Sequence, residues 1–248
     1  MSTPASVSRT RHCDPGRPAL FFDLDGTLLD HERAEEHGAQ LFFETHSKDL
    51  LAETTEEFVL HWAAASKKFF PQFVAGTLTF AEQRQLRCRE VASRPMSEQE
   101  AERLFQDYLA KYEASWVLFG DVVESLETLR RRGFCMGIIS NGNLAQQLRK
   151  LEALELGAYF GAIIVSDTAG VAKPAPQIFE IAAARFNRSV DQCIHVGDSL
   201  TEDLYGAAAA GMSAVWLNRS EDAKTFKESK SLHQVNDLAG LLQLSLLL

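Results

Sequence analysis

Two aspartates one residue apart end a short apolar run in the string Phe21-Phe22-Asp23-Leu24-Asp25-Gly26-Thr27. On a strand, alternate residues point to one face, so Asp23 and Asp25 are expected to project toward one site. Gly26 then permits a sharp turn, because it carries no Cβ. Two carboxylates this close repel each other, and a cation beside them removes that cost. Hard oxygen donors of this kind suit Mg²⁺.

Three further polar groups follow apolar runs downstream. Ser140-Asn141-Gly142 follows Cys135 to Ile139, Lys173-Pro174 comes after Ala162 to Val165, and Gly197-Asp198 with Asp203 follows Cys193 to Val196. Singly each is ordinary: a strand-to-helix cap, a lysine before a proline, acids at a turn. If the runs are neighbouring parallel strands, all four groups lie at carboxyl ends on one sheet edge, where open α/β sheets bind ligands. Together they could handle a phosphate ester. A carboxylate can attack phosphorus and split one hard step into two. The Ser140 hydroxyl and nearby backbone N–H groups can hold phosphoryl oxygens. Lys173 can neutralise charge as a point cation, Asp198 can complete a Mg²⁺ shell, and Asp203 can support the metal's waters or orient Lys173.

Those residues must be carried by strands that alternate with helices. After Trp116 the pattern is β/α, with helices expected over Asp121 to Arg132, on to about Leu154, over Pro176 to Phe186 and near Asp203 to Ala210. Asp121 is expected to cap the first of these. Strands are expected at Ala162 to Val165, Cys193 to Val196, Ala214 to Leu217 and near Val235, with a last helix from Asp237 to Leu244. Strands alternating with helices imply an α/β, doubly wound parallel sheet of Rossmann-like type. Between Asp25 and the second strand the texture changes. Glu32 to Tyr112 reads as about four helices, with Phe58, Trp62, Phe69 and Phe73 on a helical stripe and capping boxes at Thr79–Glu82 and Ser97–Glu100. The expected organisation is a tail over 1–18, a core over 19–30 and 113–248, and an inserted helical cap over 31–112. The crossings are expected at Asp30 and over 112–116. The stripe reads as cap core, and His31, His37, His46 and His61 read as surface or packing residues.

The chain has 248 residues, a net charge of −9 and 46% apolar residues. No basic run points to nucleic acid or an acidic membrane, and no apolar run is long enough to span a bilayer. Cys13, Cys88, Cys135 and Cys193 show no metal-type pairing and read as reduced thiols of a cytoplasmic protein.

The four strand-end groups resemble the motifs of the haloacid dehalogenase superfamily, in the subgroup with a helical cap after the first strand. Asp23-Leu24-Asp25-Gly26-Thr27 is similar to the first motif, Ser140-Asn141-Gly142 to the second, Lys173-Pro174 to the third and Gly197-Asp198-Ser199 with Asp203 to the fourth. The resemblance implies that Asp23 is the nucleophile and Asp25 the general acid/base. Thr27 and Gly26 then shape the loop, while Ser140, Asn141 and Lys173 bind phosphate. Mg²⁺ is implied between Asp23, Asp198 and the backbone carbonyl of Asp25. Dehalogenases of the family lack an aspartate at the position of Asp25, because a departing halide needs no proton; Asp25 therefore points to phosphate esters. Gly170 to Pro174 and Ala214 to Arg219 resemble the branch of pyrimidine 5′-nucleotidases and N-acylneuraminate-9-phosphatases. The expectation is a Mg²⁺-dependent phosphatase of small soluble metabolites, monomeric or homodimeric. The alternatives are a phosphatase of another sugar or acid phosphate, a phosphosugar mutase, and an idle binding protein on the same fold.

Overall fold

In a computed structural model, residues 14–219 and 226–247 are described. Cys13 and the residues before it, and Leu248, fall outside them. Six strands form one parallel sheet: β1 (Ala19–Phe22), β2 (Met136–Ser140), β3 (Ala162–Val165), β4 (Cys193–Gly197), β5 (Ser213–Leu217) and β6 (Leu232–Val235). Their order is β3-β2-β1-β4-β5-β6. The chain winds outward from β1 on one side and then returns to β4 on the other. The strand order therefore reverses at β1, and a crevice opens there at the carboxyl ends. β1 is buried along its whole length, as a parallel strand covered on both faces should be.

Among the described residues, ten α-helices accompany the sheet. Four are inserted after β1: α1 (His31–His46), α2 (Thr55–Val74), α3 (Phe80–Val91) and α4 (Glu98–Ala114). The others are α5 (Val122–Arg131), α6 (Leu144–Ala153), α7 (Ser166–Ala169), α8 (Pro176–Arg185), α9 (Gly206–Ala210) and α10 (Leu238–Leu241). The inserted helices keep their own core, in which Phe42, Phe58, Trp62, Phe69, Phe105 and Tyr108 pack together. Burying each such ring stabilises the layer by about 1.5–3 kcal/mol. The two capping boxes start α3 and α4 as expected. Where the chain leaves and re-enters the sheet layer, Asp30 N–H donates to Val117 O at 2.9 Å and Phe119 N–H to Leu28 O at 3.1 Å.

Several local expectations need correction. Asp121 precedes α5 but does not cap it. Its carboxylate instead accepts from Leu238 N–H at 2.6 Å and from Arg219 at 3.1 Å, so it ties α5 to α10. β2 runs one residue later than expected, which makes Ser140 its last residue rather than the first of the loop. The helix near Asp203 begins earlier, in a wide π-type turn over Leu200–Tyr205. Cys88 and Cys193 are free and buried, but Cys135 is disulfide-bonded, so four reduced thiols is not what the fold contains. Among the described residues no helix is long and apolar enough to cross a membrane.

Candidate active site

The strand register brings the four motifs together. Phe22 lies level with Val196 on one side and Ile138 on the other. Asp23 therefore follows the sheet edge between Gly197 and the end of β2, and its N–H donates to Val196 O at 2.9 Å. Gly26 takes φ of +84°, and a Cβ there would stand 2.6 Å from Asp198 Oδ2. The turn needs glycine both for its backbone and for the approach of Asp198. Thr27 Oγ1 donates to Asp198 Oδ1 at 3.1 Å from the same loop. Gly197 leaves room for Asp203, since a Cβ there would collide with its carboxylate.

Lys173 is the hub. It is buried, and its Nζ lies 2.6 Å from both Asp23 Oδ1 and Asp203 Oδ1. Asn141 fixes the lysine's backbone by accepting its N–H at 2.8 Å and donating to its carbonyl at 2.9 Å. Asp203 also accepts Ser199 N–H at 3.0 Å, through the wide turn, and faces His195 Nε2 at 2.8 Å. Burial opposes the charge on Lys173, yet Asp203 and Asp23 outweigh it and hold the ammonium firmly protonated. Burial pushes the Asp203 carboxyl up, but Lys173 and His195 bring it well below the usual carboxylate range. His195 is held neutral by burial.

Asp23 differs from Asp203. Burial lifts its carboxyl well above the ordinary value against the pull of Lys173, and Asp203, Asp198 and Asp25 lift it further. Asp198 is pushed up to about 7 by burial and by Asp203, against Lys173 and Thr27; it keeps solvent exposure, so water screens part of this. Asp23, Asp198 and Asp203 each offer an oxygen within 4.8 Å of the others. Such crowded hard donors favour a small divalent cation. With Asp203 already engaged by Lys173, His195 and Ser199, the donors left over are Asp23 and Asp198, so the residues fit a metal at the expected place.

Asp25 lies in a second pair of charges that sequence reasoning missed. Lys150 Nζ donates to its two oxygens at 2.6 and 2.8 Å, and Gln147 Nε2 donates to Oδ2 at 3.0 Å. Gln147 also donates to Ser140 Oγ at 2.8 Å, linking two motifs. His31 Nδ1 is 4.0 Å from Asp25 and 2.9 Å from the Tyr112 hydroxyl. Burial raises the Asp25 carboxyl, but Lys150, His31 and the Gln147 bond outweigh it and hold it at about 2. Gln147 and Lys150 sit three residues apart on α6, hence on one face; polar residues at that spacing next to the buried Leu151 were the available signal. His31 was expected to be a surface or packing residue and is instead a site neighbour.

These groups floor a cavity of about 240 Å³ whose opposite wall is the inserted helices. Asp23, Asp25, Ser140, Asn141, Lys173, Asp198 and Asp203 all line it. From the helical side come His31, Ser66, Phe70, Phe80, Gln83 and Arg84, among others. Of the rings on the aromatic stripe, Phe58, Trp62 and Phe69 are in the helical core.

The arrangement matches known proteins. Residues 18–211 match the haloacid dehalogenase-like hydrolase family. The chain is 28% identical over 246 residues to glyceraldehyde 3-phosphate phosphatase of Pyrococcus furiosus, with 90% of this chain and 91% of the relative covered. It is 30% identical over 201 residues to pyrimidine 5′-nucleotidase YjjG of Escherichia coli, covering 80% of this chain and 85% of YjjG. The magnesium-bound HAD-hydrolase YfnB of Bacillus subtilis superposes with a TM-score of 0.74 at 25% identity, over 91% of this chain and 97% of YfnB. With its sheet order, its helical insertion and its four strand-end motifs, the chain belongs to the haloacid dehalogenase-like hydrolase family.

Proposed function

We propose that the enzyme is a Mg²⁺-dependent phosphoric monoester hydrolase of small metabolites that works through an aspartyl phosphate on Asp23. The observation that carries this reading is Lys173 Nζ at 2.6 Å from both Asp23 and Asp203 on the floor of the cavity. A lysine so fixed cannot wander, and it holds one Asp23 oxygen while the other stays available for attack. Asp23 and Asp198, with the Asp25 carbonyl, would hold Mg²⁺, which when bound supplies charge neutralisation for the phosphoryl oxygens.

Asp23 attacks phosphorus while Ser140 and Lys173 steady the phosphoryl oxygens. Asp25 protonates the departing alcohol oxygen, then takes a proton from the water that hydrolyses the aspartyl phosphate. The second role suits the carboxylate that Lys150 and His31 maintain. The first needs a proton on Asp25, and an incoming phosphoryl dianion beside it favours protonation by like-charge repulsion. A domain division at about residues 30 and 113 belongs to the same reading, with the helical cap covering the reaction.

A second reading, a pyrimidine 5′-nucleotidase, is favoured by the 30% identity to YjjG and by Phe70. Of Phe42, Phe43, Phe69, Phe70 and Phe73, Phe70 lines the cavity and offers a face on which a base could stack. The test of the function is phosphate release from a panel of metabolite phosphates and p-nitrophenyl phosphate, with Mg²⁺ and after EDTA. Metal-dependent release is expected; release unchanged by EDTA, or none with Mg²⁺ present, contradicts it.

A further inference from the structure

The lysines and arginines that line the cavity nearly all have carboxylate partners. Lys173 is paired with Asp23 and Asp203, Lys150 with Asp25, and Arg87 with Glu35 at 2.7 Å. Arg84, one turn before Arg87 on α3, is the exception among the described residues. Its guanidinium lies over the Phe80 ring at 3.9 Å and the Phe105 ring at 4.9 Å. Its Nε is buried without a hydrogen-bond partner. Burial lowers its pKa to about 10, against the attraction of Glu102. Glu102 thus favours the charge but makes no ion pair with it, and Glu102 Oε2 is itself without a partner. Beside Arg84, Gln83 Oε1 is a second buried polar atom of the cavity wall with no partner.

Arg84 is half-buried, and a cation partly withdrawn from water with no anion beside it is costly unless something supplies one. Ring stacking fixes the plane of the guanidinium and leaves its edge as a fork suited to a carboxylate or phosphate. The cavity is compact: about 240 Å³ is below the roughly 300–1,000 Å³ of pockets that take drug-sized ligands. We propose that Arg84 is a specificity-determining residue that binds a second anionic oxygen group on the substrate, so that the preferred substrate is a compact phosphate monoester acidic at both ends. The inference rests on the phosphatase reading and adds the class of substrate. Gln83 Oε1 accepts from a hydroxyl next to that acidic group.

The test uses matched esters: 3-phosphoglycerate against glycerol 3-phosphate, which differ in a carboxylate against a hydroxymethyl at the far end, with UMP as a larger ester whose far end is neutral. The full chain with Mg²⁺ is expected to favour 3-phosphoglycerate over glycerol 3-phosphate in kcat/KM by about tenfold or more, the scale of one charge-assisted bond. Arg84→Gln should bring that ratio close to one, mainly through KM. Arg84→Lys, which keeps the charge and loses the fork, should fall between and serves if the glutamine variant does not fold. A wild-type ratio of one or less, a preference for UMP over 3-phosphoglycerate, or equal losses on both matched esters in the variants would overturn the role of Arg84 while leaving the phosphatase standing. Absence of phosphate release from every ester, p-nitrophenyl phosphate included, overturns both.

Discussion

On the floor of the cavity, lysines meet carboxylates at 2.6–2.8 Å, whereas on the helical wall the Arg84 guanidinium lies over two ring faces. The two sides are built by different means. The floor is held by strand register and by side chains that grip one another, so its groups stand in place before any substrate arrives. The wall is held by aromatic packing behind it, and its polar atoms at Arg84 and Gln83 await a partner. A preorganised floor serves a reaction that is the same for many esters; a wall with open valences serves the choice among them.

The contrast is broken most severely at the floor. Asp23→Asn removes the proposed nucleophile and should lower kcat by about a thousandfold or more, with the fold kept by circular dichroism. Because three carboxylates crowd within 4.8 Å, the variant should also melt no lower than the wild type in metal-free buffer. A folded variant with near-normal turnover contradicts covalent catalysis.

Gly26→Ala comes next. Its φ of +84° and the 2.6 Å approach to Asp198 mean that the loop and the carboxylate must both shift. About 1–3 kcal/mol of stability should be lost to backbone strain, and the Mg²⁺ concentration for half-maximal turnover should rise about ten- to a hundredfold. An unchanged metal titration would show that Asp198 is not a ligand.

Lys150→Met removes the cation that holds Asp25. Phosphate release should fall about ten- to a hundredfold, part of what general acid–base catalysis contributes, and the loss should be similar for 3-phosphoglycerate and glycerol 3-phosphate. A selective loss on one ester would move Lys150 from the floor's role to the wall's.

How much of this was legible follows the same division. The floor could be read because a parallel strand sets its side-chain direction by position; Asp23, Ser140 and Asp198 fall where apolar runs end, and Lys173 lies in the connection that follows β3. The helical insertion could be read from the Phe58–Trp62–Phe69 stripe and from capping at Thr79 and Ser97. For Gln147 and Lys150 the spacing beside Leu151 marks one face of α6, but for them and for His31 the site that face meets is set only once the helix is docked. Arg84 was hidden for the same reason: on α3 it is one of several arginines, and only packing puts Phe80 and Phe105 under it while Arg87 takes Glu35. Asp121 misled because a residue with the right identity for a cap found better donors in Arg219 and the Leu238 N–H.

The smallest effect lies far from the cavity. Ser97 and Arg94 hold the Glu100 carboxylate at about 2. Its folded value is depressed, so its contribution to the start of α4 is present above the ordinary glutamate range and is lost as pH falls toward 2. Glu100→Gln should lower Tm slightly at neutral pH, the difference from wild type should shrink on acidification, and kcat/KM should stay the same. A change in selectivity would mean that the helical layer transmits strain to the wall.

The central claim, that Asp23 carries the phosphoryl group, can be tested on the protein during turnover. Quenching with borohydride reduces an acyl phosphate to an alcohol and releases the phosphate. Peptide mapping should then find homoserine at the position of Asp23, dependent on both substrate and Mg²⁺. Asp23 recovered unmodified under conditions of rapid phosphate release, or reduction at another carboxylate, would contradict the account.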